Sequence, residues 1–160
     1  MHTSLAKQVQ KLLIQKDMFL VTAESCTGGM IAVAMTDISG ASKSFDRGFV
    51  TYSNEAKIEQ LAVKAATLEK FGAVSEETAI AMADGALQAT SKSQVSVAVT
   101  GIAGPDGGTA EKPVGLVYIA IGSLDDDTLV FKHNFKGDRE EIRDQAVSAA
   151  LGHLIKVLSA

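Results

Sequence analysis

The chain has little of several features that mark particular classes of protein. Only one of its 160 residues is a cysteine, so it can form no intrachain disulfide, as is typical of proteins kept in a reducing compartment. No run of about 18 apolar residues is present that could cross a membrane. Aromatic residues make up 5% of the chain, and the formal net charge is −4 with no cluster of Lys or Arg. We therefore expect a cytoplasmic protein that binds neither nucleic acid nor a membrane.

The composition that is present suits a folded domain. Hydrophobic residues make up 46% of the chain and charged residues 21%. A chain of this length buries roughly 70% of its unfolded surface, which is enough for a core without disulfides or a structural metal. The N-terminal segment predicts an amphipathic helix rather than a signal peptide, with an apolar stripe of Leu5, Val9, Leu12 and Leu13. Residues 1–160 are expected to form a single domain.

Strand and helix patterns alternate along the chain, which is typical of an α/β layer fold. Strands are predicted at 18–23, 48–52, 94–100, 114–121 and 128–135, and further helices at 28–38, 54–62, 75–90 and 138–159. Helix caps are predicted at Ser53 or Asn54, at Ser75, and at Asp138 with Glu141 three residues later. The last two strands have no helix between them, which indicates an antiparallel hairpin. The prediction is a three-layer α/β/α sandwich around a mixed, mostly parallel sheet.

The segment FLVTAESCTGGM at 19–30 predicts a strand that turns directly into a helix. Backbone N–H groups at such a turn have no partner within the helix and can stabilise an oxyanion. We interpret Ser25 as a candidate nucleophile, with the N–H groups of Cys26, Thr27 and Gly28 as the oxyanion hole. Two alternatives stay open. Ser25 or Thr27 could simply cap the helix, and Cys26 could be the nucleophile, since a helix N-terminus lowers the pKa of a thiol.

A serine nucleophile needs a base, and Lys57 is the candidate. None of the three histidines lies in a plausible catalytic motif, because His2 is terminal, His133 lies in a predicted strand and His153 lies in the last helix. Lys57 follows a second strand-to-helix turn and could act as a base if burial keeps its amine neutral. Tyr52 could share the proton relay or orient the lysine. A solvated Lys57 paired with a neighbouring glutamate is the alternative.

A glycine-rich loop, TGIAGPDGG at 100–108, follows the strand at 94–100. It matches neither the ATP nor the dinucleotide fingerprint, so no cofactor is implied, and no cluster has metal-ligand spacing. Its glycines let backbone amides approach a phosphate closely. Arg139 and Arg143 lie four residues apart on one helical face and could supply a cation. Ser42, Ser44 and Arg47 could border the same pocket.

Six sequence blocks together resemble one known family. They are TAESCTGG at 22–29, GFVTYSNEAK at 48–57, GAVSEET at 72–78, TGIAGPDGG at 100–108, KPVGLVYIAIG at 112–122 and FKGDREEIR at 135–143. Their order and content are similar to the CinA-type C-terminal domain family, whose active members are nicotinamide-nucleotide amidases. Some members carry an additional N-terminal domain, and we expect this chain to be the stand-alone form.

The resemblance implies a reaction and a site. The reaction is hydrolysis of nicotinamide mononucleotide to nicotinate mononucleotide and ammonia in pyridine nucleotide recycling, through an acyl-enzyme on Ser25, with Lys57 and Tyr52 as the other catalytic residues. The expected substrate-binding residues are Ser42, Arg47, Thr100, Gly101, Gly104, Gly107, Gly108, Arg139 and Arg143. No metal or cofactor is expected, and a homo-oligomer is left open. The alternatives are a non-catalytic mononucleotide-binding or competence-associated interaction protein, and a hydrolase that uses Cys26 on another small amide.

Overall fold

The computed structural model describes residues 2–160. Within them the chain forms five strands and six helices, with a short 3-10 turn at Ala41–Lys43. The helices are α1 (Thr3–Gln15), α2 (Met30–Thr36), α3 (Asn54–Leu61), α4 (Ala65–Phe71), α5 (Glu76–Gln88) and α6 (Arg139–Leu158). The strands are β1 (Leu20–Glu24), β2 (Phe45–Val50), β3 (Val95–Gly101), β4 (Leu116–Ser123) and β5 (Leu129–Asn134).

The strands form one mixed sheet in the order β2-β1-β3-β4-β5. β1 pairs in parallel with both β2 and β3, while β4 is antiparallel to both β3 and β5. Four of the five strands therefore point the same way, and β4 alone runs against them. This confirms the predicted mixed, mostly parallel sheet and its terminal hairpin.

Helices cover both faces of the sheet. Helices α1, α2 and α6 pack on one face, and α3, α4 and α5 pack on the other. Successive residues of a strand point to opposite faces, so Val97 and Val99 of β3 lie in the first core and Ala98 lies in the second. The three-layer α/β/α prediction is confirmed. No helix within residues 2–160 has the length and apolar character needed to span a membrane.

Side-chain caps begin three of the helices. Ser53 Oγ accepts a hydrogen bond from the N–H of Ala56 at 3.0 Å, and Ser75 Oγ accepts one from the N–H of Thr78 at 3.1 Å. At α6, Asp138 Oδ1 accepts from the Glu141 N–H at 2.9 Å, and the Asp138 N–H donates to Glu141 Oε1 at 3.1 Å. The predicted caps are confirmed, and each fixes the point at which its helix begins.

Two segments differ from the sequence-based assignment. Strand β2 begins at Phe45 and ends at Val50, so Thr51 and Tyr52 lie beyond it. This edge strand is only partly buried, so its side chains show no clear alternation from which a start could be read. Helix α4 was not predicted; it is seven residues long and its only buried side chain is Leu68, which leaves no apolar stripe to detect.

Gly85 permits the closest helix contact on the α3–α5 face. A Cβ atom at this position of α5 would overlap the backbone carbonyl of Leu61 at the end of α3. We expect Gly85→Ala to lower the free energy of unfolding by about 1–3 kcal/mol, because backbone must move to make room. Urea unfolding measures this.

The matched control is Gly152→Ala in α6. A Cβ at Gly152 meets nothing within 4 Å, so the helix-propensity gain of about 0.5–1 kcal/mol should appear instead. Equal stabilities for Gly85→Ala and the wild type would show that the two helices are not in close contact.

Candidate active site

Three parallel strands end at one edge of the sheet, and each is followed there by predicted site residues. Ser25 follows β1, Tyr52 lies just past β2, and Gly101 ends β3. The N–H of Ser25 donates to the carbonyl of Val99 in β3 at 2.9 Å, and the N–H of Thr51 donates to the carbonyl of Glu24 in β1 at 2.8 Å. The carboxyl ends of parallel strands are where α/β folds form ligand crevices, because the connections diverge there.

Lys57 and Ser25 are in direct contact. Lys57 Nζ lies 2.9 Å from Ser25 Oγ, although 32 positions separate the two residues in the sequence. Lys57 is the fourth residue of α3, and the Ser53 cap sets where that helix begins and hence where the lysine points. The structure therefore brings the predicted nucleophile and the predicted base within hydrogen-bonding distance.

The amine of Lys57 is enclosed by backbone oxygens. The residue is 1% exposed, and Nζ donates to the carbonyls of Thr51 at 2.7 Å and Tyr52 at 3.3 Å. In the described part of the chain no carboxylate lies within 4 Å of this nitrogen. A neutral amine has two N–H donors and one lone pair. With the two carbonyls taking the donors, the lone pair is left to accept the proton of Ser25.

Burial lowers the pKa of Lys57 from 10.5 to about 8, because a charged ammonium loses its hydration in this position. The negative charge of a Cys26 thiolate would oppose the shift. A substantial fraction of the lysine is therefore neutral near physiological pH, as a general base requires.

Cys26 is a poor candidate for the nucleophile. Its side chain is 5% exposed, and burial raises the pKa of its thiol to about 11. Thiolate is the reactive form of cysteine, and little of it exists at neutral pH with such a pKa. The helix N-terminus therefore does not activate this thiol, and the Cys26 side chain packs as a small buried hydrophobic group.

The turn Ser25–Gly28, hereafter the nucleophile turn, presents two free donors. The N–H of Gly28 donates to the Ser25 carbonyl at 3.1 Å and so closes the turn. Among the residues described, no acceptor pairs with the N–H groups of Cys26 and Thr27. Of the three predicted oxyanion donors, Gly28 is therefore occupied within the turn, while Cys26 and Thr27 remain available.

A pocket of about 250 Å³ opens beside Ser25. It is lined by Ser25, Cys26, Tyr52, Lys57, Ala73, Val74, Thr100, Gly101, Ile102, Ala103, Gly104, Asp106, Gly107 and Arg139. The pocket thus gathers nine of the predicted site residues from four separate segments of the chain. Within residues 2–160 no three His, Cys, Asp or Glu side chains are grouped as metal ligands.

Tyr52 contacts two different partners. Its backbone carbonyl accepts from Lys57, whereas its side chain is 62% exposed and its hydroxyl accepts from Arg139 Nη2 at 3.1 Å. Arg139 also donates through Nη1 to the carbonyl of Gly104 at 2.7 Å. Arg139 therefore joins the rim of the pocket to the glycine-rich loop, and the Tyr52 hydroxyl faces this arginine rather than the lysine.

The other predicted binding residues lie outside the pocket lining or use their polar groups elsewhere. Thr100 donates its hydroxyl to the carbonyl of Ala73 at 2.7 Å. Ser42 is exposed in the 3-10 turn, and Arg47 pairs with Asp46 at 2.9 Å near the amino ends of the strands. Gly108 packs against Val114 in its own loop. The structure does not bring Ser42, Arg47 or Gly108 to the pocket.

Two charged residues contact the nucleophile turn without lining the pocket. Arg143 donates to the carbonyls of Cys26 and Thr27, so its guanidinium faces the turn and not the pocket where a phosphate was expected. Glu24, which the sequence reasoning did not select, is fully buried and accepts from Thr27 Oγ1 at 2.6 Å. A carboxylate at the end of an otherwise apolar strand is a signal that could have identified it, since such a group needs partners.

Comparison with known proteins identifies the family. The sequence profile of the CinA C-terminal domain matches residues 2–158. The chain therefore belongs to the CinA C-terminal domain family. The crystal structure of the competence/damage inducible protein CihA from Agrobacterium tumefaciens superposes with a TM-score of 0.94 at 46% sequence identity, covering 99% of this chain and 95% of that one.

Relatives of two sizes match the chain. Nicotinamide-nucleotide amidohydrolase PncC of Enterobacter agglomerans is 52% identical over 147 residues, which cover 92% of this chain and 89% of that protein. A CinA-like protein of Fusobacterium nucleatum subsp. nucleatum is 50% identical over 145 residues, which cover 91% of this chain but 35% of that protein. The chain spans about a third of the length, 33–38%, of several curated relatives that it matches.

The buried lysine should leave a signature in the pH dependence of stability. The folded state lowers the pKa of Lys57 from 10.5 to about 8, so between these pH values the unfolded chain binds more protons than the folded one. The cost of burying the ammonium is fully present below pH 8 and disappears as the pH rises toward 10.5. Stability should therefore rise across this window, by about 3 kcal/mol from this residue.

Urea unfolding from pH 7 to 10.5 of the wild type and Lys57→Met isolates this effect. The free energy of unfolding of Lys57→Met, relative to that of the wild type, should be highest at pH 7 and should fall as the pH rises. Lys7→Met changes an exposed lysine of α1 and should give a difference that is flat with pH. A flat difference for Lys57→Met as well would mean that the amine is not desolvated.

Proposed function

We propose that this protein is an amidohydrolase that converts nicotinamide mononucleotide and water to nicotinate mononucleotide and ammonia in pyridine nucleotide recycling. The observation that carries the proposal is the 2.9 Å contact between Ser25 Oγ and a buried lysine amine that has no carboxylate partner among the residues the structure describes. The relative PncC, which the chain matches over 89% of its length, supports the choice of amide and substrate. The single cysteine is in keeping with a reducing compartment, and we place the reaction in the cytoplasm.

The first half of the reaction forms the acyl-enzyme. Neutral Lys57 accepts the proton of the Ser25 hydroxyl while Oγ forms a bond to the amide carbon. The carbonyl oxygen becomes an oxyanion, which the N–H groups of Cys26 and Thr27 can stabilise. When the C–N bond breaks, the Lys57 ammonium returns its proton to the departing nitrogen, and ammonia leaves.

The second half releases the acid. Water attacks the ester carbon and gives a proton to Lys57, which is again neutral. The bond from the ester carbon to Ser25 Oγ breaks, and the proton returns from Lys57 to that oxygen. The nicotinate product forms, and both residues return to their starting states, so one lysine acts as base and acid in each half.

The rim of the pocket suits the phosphate of the substrate. Arg139 is exposed on the pocket wall, and Gly101, Gly104 and Gly107 line the same cavity. A guanidinium can bind two phosphate oxygens at once, and glycines allow the backbone to approach them. In this arrangement the amide lies at Ser25 and the phosphate lies toward Arg139.

Two variants at neighbouring positions test the identity of the nucleophile. Ser25→Ala should abolish ammonia release from nicotinamide mononucleotide while the protein stays folded, because it removes the attacking oxygen. Cys26→Ala should retain most of the activity, because only the backbone of Cys26 is used. An ammonia assay with thermal unfolding as a control decides this. Full activity in folded Ser25→Ala would end the serine mechanism, and its combination with an inactive Cys26→Ala would assign the reaction to the thiol.

The pH dependence tests Lys57 as the base. Since the amine must be neutral, kcat/KM should rise with pH through the lysine pKa of about 8 and then level off. Lys57→Arg keeps the charge but stays protonated at every accessible pH, so its rate should fall by about 10²–10⁴ while the mononucleotide still binds.

Rates measured from about pH 6 to 10, with mononucleotide binding measured by calorimetry, separate a loss of base catalysis from a loss of binding. An unchanged basic limb in a folded Lys57→Arg protein would exclude the lysine as the base.

A further inference from the structure

Two buried or half-buried charged residues hold the nucleophile turn from two different elements of the fold. Glu24 is the last residue of β1, and Arg143 lies in α6. Neither residue lines the pocket. Their contacts all lie on the turn that carries Ser25 or on the helix that follows it.

Glu24 is a carboxylate that is 0% exposed and has no cation within 4 Å in the part of the chain described. Its Oε1 accepts from the hydroxyl of Thr27 at 2.6 Å and from the N–H of Ile31 at 2.9 Å, and its Oε2 accepts from the N–H of Ala32 at 3.1 Å. Gly29, at the position that caps α2, has no side chain to accept these N–H groups. The carboxylate of Glu24 thus replaces the missing cap and ties the turn to α2.

Arg143 fixes the direction of peptide groups in the same turn. Its Nε donates to the Cys26 carbonyl at 3.0 Å, and its Nη2 donates to the Thr27 carbonyl at 3.4 Å. In a planar trans peptide the carbonyl and the following N–H point in opposite directions. Because the Cys26 carbonyl faces Arg143, the N–H of Thr27 faces away from it. The guanidinium therefore sets the orientation of one of the two free donors.

The arginine is also in close contact with the turn. A Cβ atom at Gly28 would lie 3.3 Å from Arg143 Nη2, and Gly28 has a φ of +58°. A larger residue here would meet both backbone strain and the guanidinium. The guanidinium of Arg143 is therefore packed closely against the turn. An arginine that binds a phosphate in the pocket would not need this contact.

We propose that Glu24 and Arg143 are positioning residues that together clamp the nucleophile turn, so that Ser25 Oγ faces Lys57 and the Cys26 and Thr27 N–H groups stay free for the oxyanion. Arg143 acts through the turn and does not read the phosphate of the substrate. This inference rests on the proposed function, since it assumes that Ser25 is the nucleophile. It assigns the two arginines of α6 to different tasks, Arg139 to the substrate and Arg143 to the turn.

Two substrates separate positioning from phosphate binding. On nicotinamide mononucleotide and on nicotinamide riboside, which lacks the phosphate, Arg143→Gln should lower kcat by about 10²-fold to the same extent, with KM for the mononucleotide unchanged. Arg139→Gln should raise KM for the mononucleotide and leave the riboside reaction nearly as it was. An Arg143→Gln variant that changes only KM, and only for the mononucleotide, would overturn the clamp and make Arg143 a phosphate ligand.

A second pair of variants tests the hydrogen bond from Thr27 to Glu24. The change is made at Thr27, because a change at the fully buried carboxylate of Glu24 can unfold the protein. Thr27→Ser keeps the hydroxyl that donates to Glu24, and Thr27→Val has the same shape without it. We expect kcat to be about tenfold or more lower in Thr27→Val than in Thr27→Ser, with the same KM and the same rise of the rate with pH in both variants. A folded Thr27→Val with wild-type kcat would exclude the Glu24 contact as a positioning interaction.

A direct test of Glu24, and a comparison with Ser25→Ala, separate failure of the clamp from failure of the proposed function. Glu24→Gln is compared with Glu59→Gln, which changes an exposed glutamate of α3 and should have no effect on kcat or stability. A folded Glu24→Gln protein should have a lower kcat and an unchanged KM. A folded Glu24→Gln protein with the kcat of the wild type would count against the clamp. Wild-type protein that releases no ammonia from nicotinamide mononucleotide defeats the proposed function, and turnover that persists in Ser25→Ala defeats the serine mechanism. Turnover that needs Ser25 but does not change in the Arg143 and Thr27 variants defeats only the clamp.

Discussion

The desolvated contact between Lys57 and Ser25 is the interaction on which the proposed chemistry of this protein depends. A lysine amine in water is protonated and cannot act as a base, and burial is what lowers its pKa to about 8. Among residues 2–160 the hydrogen-bond partners of this nitrogen are backbone carbonyls and the serine hydroxyl, and none is a carboxylate that would stabilise the ammonium. Burying the charged lysine lowers the stability of the folded state, and the same burial produces the neutral amine that the proposed base requires.

The sheet brings the parts of the site together at one edge. Strand β1 is followed by the proposed nucleophile, β2 by the carbonyls that accept from the lysine, and β3 by the glycine-rich loop. Hydrogen bonds between Ser25 and Val99, and between Thr51 and Glu24, fix these strand ends relative to one another. Small displacements of reacting groups cost large factors in rate, so this rigid edge is a suitable support for catalysis.

Helix α6 begins near the same edge, and two residues of its first turns contact the site. Arg139 and Arg143 lie four residues apart, hence on one helical face, yet the first reaches Tyr52 and Gly104 at the pocket rim and the second reaches the nucleophile turn. The capping box of Asp138 and Glu141 fixes where this helix begins and therefore where both guanidinium groups lie. The proposed substrate recognition by Arg139 and the proposed positioning of the turn by Arg143 are in this way connected through one helix.

The sequence by itself determined the layers and the caps, and it indicated Ser25 and Lys57 as candidate catalytic residues. Alternating strand and helix patterns gave the α/β/α sandwich, and short-range spacing gave the caps at Ser53, Ser75 and Asp138, because these depend on contacts between residues close in the chain. Local patterns also marked Ser25 and Lys57, but they carry no information on the distance between residues 32 positions apart.

Tertiary structure alone decided which predicted residues meet. It brought Lys57 to Ser25 and Arg139 to the pocket, turned Arg143 toward the turn, and left Ser42 and Arg47 away from the cavity. It also gave Glu24 its role, since the donors to a buried carboxylate become apparent only once α2 packs above the end of β1. The physical reason is that desolvation and long-range hydrogen bonds depend on what surrounds a side chain after folding, and neighbours in sequence do not specify those surroundings.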